Sequence, residues 1–327
     1  MVCNRKIVSS IRAAVLAGAV AWSGAALAQS WPVKPLRVVV SFPAGGSADV
    51  LTRILAPKLA ESLGQPVVVE NRPGATGTIG TATVAKSAPD GYTLTCGAST
   101  TLTVAPALYS NLPYDALKDL QPITRIAQVP NLLLVSLAVP ASNVRELIDL
   151  AKAQPGKLTF ASGGAGSTQH LAGELFKLMT GVSMVHVPYK GGAPAMADLV
   201  GGQVSILFEP MNSAIAQVRG GKVRNLAIST PARLAAMPDL PTIAETLPGY
   251  ETSLWFGLLG PAGMPRDIVN RLHAETVKIL RAPDVRERFA TLGAEAIADS
   301  VEDFAQTMRS DTLRWAEFAK KTGMKLE

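Results

Sequence analysis

The chain has 327 residues, 31 Lys and Arg against 25 Asp and Glu, and two cysteines. That length exceeds one comfortable hydrophobic core, so two domains are expected. The net charge of +6 is mild and contains no basic run, which argues against nucleic acid.

Arg5, Lys6 and Arg12 precede an apolar run from Ala13 to Trp22, and Ala26-Leu27-Ala28 supplies small residues before Gln29. This pattern reads as a secretory signal peptide over residues 1–28, because the apolar run is shorter than the roughly 20 residues that span a bilayer. Position 29 is Gln rather than Cys, so no lipoprotein and no membrane anchor is expected in the mature form. Cleavage leaves 28 basic and 25 acidic side chains and a single thiol, Cys96. One thiol makes no internal disulfide and no cysteine cluster for a metal.

From there the elements alternate. Leu36 to Val40 reads as a buried strand, Pro43-Ala-Gly-Gly46 breaks it, and Val50, Leu51, Ile54, Leu55 and Leu59 repeat at helical spacing up to a Gly64 cap. Pro57 predicts a kink or break in that helix. Val67 to Val69, a helix near Thr78 to Lys86 and the strand Tyr92 to Cys96 repeat the unit. A second set starts after Pro130 with the strand Leu132 to Val135. It continues with a helix from Val144 capped by Asn143 and Glu146, the strand Leu158 to Ala161, a helix ending at Gly181 and the strand Val185 to Val187. A short helix over Ala195 to Val200 and strands over Gln203 to Phe208 and Val223 to Ile228 follow. Leu254 to Leu259 is apolar again, and amphipathic helices run from Pro265 to Gly323. Alternating α and β units with apolar strands predict an α/β fold of two lobes, each a mostly parallel sheet flanked by helices. The expected division is 29–128 with 253–327 as domain I and 129–252 as domain II, with two chain crossings serving as a hinge.

Three glycine loops each follow a strand end and open a helix: Phe42 to Asp49, Ser162 to Thr168, and Tyr189 to Ala193. Ligands of open α/β sheets lie beyond the carboxyl ends of the strands, where helix N-termini present N–H groups and positive partial charge. An anion suits such a place. Ser47, Ser162, Ser167 and Thr168 add hydroxyl donors.

These residues resemble the solute-binding receptors of tripartite tricarboxylate transporters, the Bug family. The resemblance rests on Pro43-Ala-Gly-Gly-Ser-Ala-Asp49, Val67-Val-Val-Glu-Asn-Arg-Pro-Gly-Ala75, Ala88-Pro-Asp-Gly-Tyr92, Ser162 to His170, Val187-Pro-Tyr-Lys-Gly191 and Asp198-Leu-Val-Gly-Gly-Gln203. It implies a venus-flytrap periplasmic-binding-protein fold, a periplasmic location, and a small organic carboxylate held between the lobes, often through ordered water. Membrane transporter subunits or a sensor protein would be the partners, with no cofactor and no metal. By position it assigns ligand contacts to Phe42, Gly45, Gly46, Ser47 and Asp49 on one lobe, with Ser99 on a further cleft loop. Ser162, Gly163, Ser167, His170, Tyr189 and Gly191 would face them from the other lobe. Glu209 stands where relatives have Asp, which leaves open an uncharged or cationic solute, such as an amide or amine.

Other readings stand beside these. Asp49 is equally a first-turn carboxylate favoured by the helix dipole. His170 pairs by spacing with Glu174 as a solvated pair, and His186 reads as a hydrogen-bonded core residue. Trp255-Phe256 reads as core, with the cleft as the alternative, and Cys96 as a buried inert thiol. An exported hydrolase finds little support: Ser47, Ser99 and Ser167 lack the Gly-x-Ser-x-Gly elbow, and the three histidines are scattered.

Overall fold

The computed structural model describes residues 31–234 and 237–325. The signal peptide expected at 1–28 lies outside them. The elements belong to the unit Lys34–Glu327. In chain order, β1 (Leu36–Val40), α1 (Ser47–Leu63), β2 (Val67–Asn71), α2 (Thr78–Ala85) and β3 (Thr93–Ala98) come first. A helical turn at Thr100–Val104 leads into α3 (Ala105–Leu108) and β4 (Leu120–Val135). Next are α4 (Val144–Ala153), β5 (Thr159–Ser162), α5 (Thr168–Thr180), β6 (Val185–Pro188), α6 (Gly192–Val200), β7 (Ile206–Pro210), α7 (Met211–Arg219) and β8 (Arg224–Ile228). The chain ends with β9 (Ser253–Pro261), α8 (Arg266–Leu280), α9 (Pro283–Thr291), β10 (Glu295–Ala296) and α10 (Val301–Thr322).

The strands lie in the order β2-β1-β3-β9-β4-β7-β5-β6, with β8 and β10 also paired to β4. Three strands at each end, β2-β1-β3 and β7-β5-β6, run parallel. Between them β9 and β4 pair antiparallel over a long register, from Leu120↔Pro261 to Pro130↔Ser253. β4 then changes partner: Asn131 to Val135 pair with Pro210 to Ile206 of β7 and with β8. A knot of polar contacts marks the change. Asn131 N–H donates to Ser229 Oγ at 2.9 Å, Ser229 N–H to the Asn131 carbonyl at 2.9 Å, and Asn131 Nδ2 to the Thr252 carbonyl at 3.3 Å.

β4 is longer than the sequence suggests. Its first twelve residues are not expected from the sequence, because Pro122 and Pro130 lack the N–H of a ladder donor. Register shifts between Pro122 and Thr124 and between Arg125 and Ala127 bulge the strand and let pairing continue. Pro57 likewise leaves α1 continuous: it sits on the exposed side, where solvent satisfies the carbonyl it cannot bond. α7 was also unpredicted, because its apolar face, Met211 and Ala214, is short.

The caps expected at Gly64, Asn143, Gly181, Ser300 and Gly323 fall in place, and Ser167 adds one that was not expected. Gly64, Gly181 and Gly323 close α1, α5 and α10 in the left-handed region, and Asn143, Ser167 and Ser300 accept N–H bonds at the starts of α4, α5 and α10. α10 returns to the first sheet, placing Phe304 edge-on to Trp255 at 5.4 Å among Val39, Leu102 and Leu259. The other half packs Phe160, Phe176, Phe208 and Tyr250 into one cluster, and the Tyr250 hydroxyl donates to the Ala172 carbonyl at 2.9 Å.

Gly257 of β9 permits the close seat of α10, because a Cβ there would lie 2.2 Å from Phe304 Cζ. Phe304 is fully buried and its ring has nowhere to turn. Gly257→Ala is expected to destabilise by about 1–3 kcal/mol, read as a lower urea midpoint at unchanged m-value. An unchanged midpoint would show that α10 shifts freely on the sheet.

Candidate functional site

The loop after β1 is fixed from behind. Asp49, 3 % exposed, accepts Gly45 N–H at 2.9 Å with Oδ2, and Arg53 Nε and Asn71 Nδ2 at 2.9 Å each with Oδ1. Asn71 Nδ2 also donates to the Phe42 carbonyl at 3.1 Å. Burial alone would raise the Asp49 carboxyl, but the bonds from Arg53, Gly45 and Asn71 outweigh it and hold the group below its ordinary value. Every one of these contacts lies in the first half of the sheet. Asp49 is therefore a brace for the loop and not a bridge between halves. Gly45 gives its N–H to Asp49, so the donors left to a ligand are those of the first helical turn, from Ser47 onward.

Those donors face a cavity of about 390 Å³. Phe42, Pro43, Gly46, Ser47 and Ala48 line one side, Gly166, Ser167, Thr168 and Gln169 the other, and Ala98, Thr100, Leu254 and Phe256 the floor. The N-termini of α1 and α5 thus open into one space from opposite halves of the sheet. Period-two alternation in β9 turns Leu254 and Phe256 toward the cavity while Trp255 enters the core, where its Nε1 donates to Asp311 at 2.7 Å. Gly45 lines a smaller neighbouring cavity of about 180 Å³ with Ser47 and Asn212. Across the wall between the two cavities, Asn212 Nδ2 donates to Ser47 Oγ at 2.7 Å, joining α7 to α1. Nothing in the sequence pattern marks Asn212. Thr168, named with the glycine loops as a hydroxyl donor, lines the cavity, and Gln169 was recoverable as its neighbour in the same first turn.

Of the sequence-derived candidates, Phe42, Gly46, Ser47 and Ser167 meet at the cavity. Ser99 is buried behind it, its Oγ accepting the Trp255 N–H at 3.4 Å. Ser162, Gly163, His170, Tyr189 and Gly191 are not among the residues that line the cavity: Tyr189 packs against α6, and the others lie in or beside the loop and first turn of α5. Gly191 N–H donates to the Gly163 carbonyl at 3.2 Å, and the Tyr189 hydroxyl donates to Asp198 at 2.6 Å, which raises the phenol to about 12. Ser162 Oγ and His186 Nε2 are 2.6 Å apart, and the His170 and His186 rings stack at 4.0 Å beside Phe160. His170 Nδ1 accepts the Gly166 N–H at 3.1 Å, so the imidazole braces the cavity loop. The solvated His170–Glu174 pair expected from spacing gives way to this stack, and Glu174 pairs with Lys177 at 2.8 Å instead.

Glu209 is also displaced from the expected place. It is 3 % exposed and points toward the starts of α6 and α7. Its carboxylate accepts from the Ser213 hydroxyl and from Gln169 Nε2 at 3.2 Å, and a Cβ on Gly192 would lie 2.7 Å from its Oε1. Burial raises its pKa against those two hydrogen bonds. Glu209 therefore sits beside the starts of α6 and α7 and is linked to the cavity through Gln169.

Catalytic chemistry finds little to work with here. Ser162 is fully buried, and burial raises the Cys96 thiol to about 12, which keeps it protonated. Among the described residues no group of three or more His, Cys, Asp or Glu is placed to hold a metal ion, and no helix is long and apolar enough to cross a membrane.

The tripartite tricarboxylate transporter family receptor model matches residues 51–324. The chain belongs to this receptor family. The protein BugT of Bordetella pertussis is 39 % identical over 302 residues, covering 92 % of this chain and 93 % of that one. An R. palustris protein solved with adipate is 37 % identical, with a TM-score of 0.79 over 90 % of this chain and 99 % of its own. MatC from Rhodopseudomonas palustris with bound malate is 34 % identical, with a TM-score of 0.74 over 88 % and 99 %. The two-lobed binding-protein fold read from the sequence agrees with these neighbours.

In this receptor the histidine stack sets an acid limit. Both imidazoles sit below their ordinary value, His186 at about 4, through burial first, then the His170 ring and Lys177. For His170 burial again leads, with Glu174 opposing it and Lys177 adding to it. The unfolded chain titrates near 6.5, so it takes up protons before the folded one. Stability is therefore complete above that value and falls as pH drops from about 6.5 toward 4. Urea midpoints between pH 7.5 and 4.5 are expected to fall on this limb, and His186→Phe to flatten it. Equal slopes in both proteins would contradict the assignment.

Proposed function

We propose that the protein is a periplasmic receptor that captures a small organic carboxylate between its lobes and presents it to the membrane subunits of a tripartite transporter or to a sensor. The observation that carries this reading is that the first turns of α1 and α5 open into one cavity from opposite halves of the sheet. Each terminus offers unpaired N–H groups and about half a unit of positive charge. Together they suit a single carboxylate without any basic side chain. Relatives solved with adipate and malate support the solute class.

The lobes we propose are 29–128 with 253–327 and 129–252. The partner change of β4 between Pro130 and Asn131, and the start of β9 at Ser253, support those limits. Opening would then bend the two crossing strands, and a carboxylate bridging α1 and α5 would favour the closed form through contacts that the open form lacks. The Asn212–Ser47 bond adds a second contact that closure makes. An amine or amide held by Glu209 finds less support, since that carboxylate is occupied by Ser213 and Gln169 and faces away from the cavity. Hydrolysis finds less still, with no exposed serine paired to a histidine among the described residues.

Thr168→Pro tests the cradle directly. Thr168 is the first residue of α5, where proline is tolerated and removes the N–H together with the hydroxyl, and Ser167 already has the extended backbone that precedes proline (φ −67°, ψ 159°). A charge-assisted hydrogen bond is worth about 1.5–3 kcal/mol, so carboxylate affinity by calorimetry should drop at least tenfold, with little change in unfolding midpoint. Thr168→Val, which keeps the N–H, should bind nearly as the parent does. Equal affinity in all three proteins would contradict the cradle.

A further inference from the structure

The cavity is chemically one-sided. Its donors sit in the two first turns, while Phe42, Pro43, Ala98, Leu254 and Phe256 make the rest of the wall, and no charged or histidine side chain is among its described lining residues. Phe42 and Leu254 are only part-buried, so each presents apolar surface to the open space. The rings of Phe42 and Phe256 are held in place. The Phe42 carbonyl is tied to Asn71 and its ring edge rests against Gly77, where a Cβ would lie 3.1 Å away. Phe256 is fixed by pairing to Ala98 on one side and Ala127 on the other. The Arg53 guanidinium, one turn into α1, is already engaged by Asp49 and Asn71.

We infer that the solute is a monocarboxylate with an apolar body, an aliphatic or aromatic acid, and not a hydroxylated di- or tricarboxylate. The inference rests on the carboxylate reading above and narrows it. With the first-turn carboxylate of Asp49 offset by Arg53, the two helix N-termini together offer about one unit of positive charge, which matches one carboxylate. A second carboxylate on a short chain loses its hydration against Phe42, Leu254 and Phe256 and finds no cation in return. Extra hydroxyls are no better served, since Thr100 is the polar side chain that lines the cavity outside the two helix starts. A methylene chain or ring, by contrast, exchanges water for preformed apolar walls whose ordering is already complete in the empty protein.

The test is a chain-length comparison by titration calorimetry: propionate through hexanoate against malonate through adipate, with citrate and hexanamide alongside. Affinity for the monoacids is expected to rise roughly fourfold per methylene, the gain for burying about 0.8 kcal/mol of apolar group. Hexanoate should exceed adipate at least tenfold and bind with a negative heat-capacity change. Phe42→Ser should flatten the monoacid slope. Adipate or citrate binding tighter than hexanoate would overturn the inference and leave the carboxylate receptor standing. Hexanamide matching hexanoate, or no acid of either series binding, would overturn both.

Discussion

The long antiparallel pairing of β4 with β9 is the constraint on which the rest depends. β4 belongs to both halves of the sheet: it pairs with β9 up to Pro130 and with β7 and β8 from Asn131 onward. Sharing one strand sets the two parallel triplets side by side. The helix that follows β1 and the helix that follows β5 then begin at the same cavity. The anion site we propose there relies on backbone N–H groups at helix starts, which have no partners within the helix. The sheet supplies the geometry and the backbone supplies the charge.

Around that site the side chains divide their work. Asp49, Asn71 and Arg53 hold the first loop rigid, and Gly163, Gly191 and the His170–His186 stack hold the second. Glu209 accepts side-chain hydrogen bonds from the first turns of α5 and α7 and lies against the start of α6, away from the cavity on which the N-termini of α1 and α5 converge. Several residues whose types suggest ligand chemistry therefore act one layer back. They place the donors and do not supply them. The cost of that arrangement is sensitivity to acid, because two stacked imidazoles resist protonation only while they remain buried.

Much of this organisation was legible in the sequence. Strand-loop-helix units, glycine caps at Gly64, Gly181 and Gly323, and the loops Phe42 to Asp49 and Ser162 to Thr168 are written in local spacing, and the resemblance to the receptor family drew on the same stretches. Local spacing was also where the reading stopped. The continuity of β4 through Pro122 and Pro130 depends on bulges, which only the partner strand dictates. His170 and His186 are 16 positions apart and meet through the parallel pairing of β5 with β6, so spacing along one helix paired His170 with Glu174 instead. Asn212 reaches Ser47 across 165 positions, and no periodicity reports such a contact. Glu209 was placed at the right strand end but on the wrong side of it, because a strand end does not reveal which helix start its last side chain will meet.

The most direct measurement is a crystal structure of the protein grown with hexanoate. The account predicts carboxylate oxygens about 3 Å from first-turn N–H groups of both α1 and α5, with the chain lying against Phe42, Leu254 and Phe256. A carboxylate bound away from both helix starts, at a lysine on the surface or in the space beside Glu209, would contradict it.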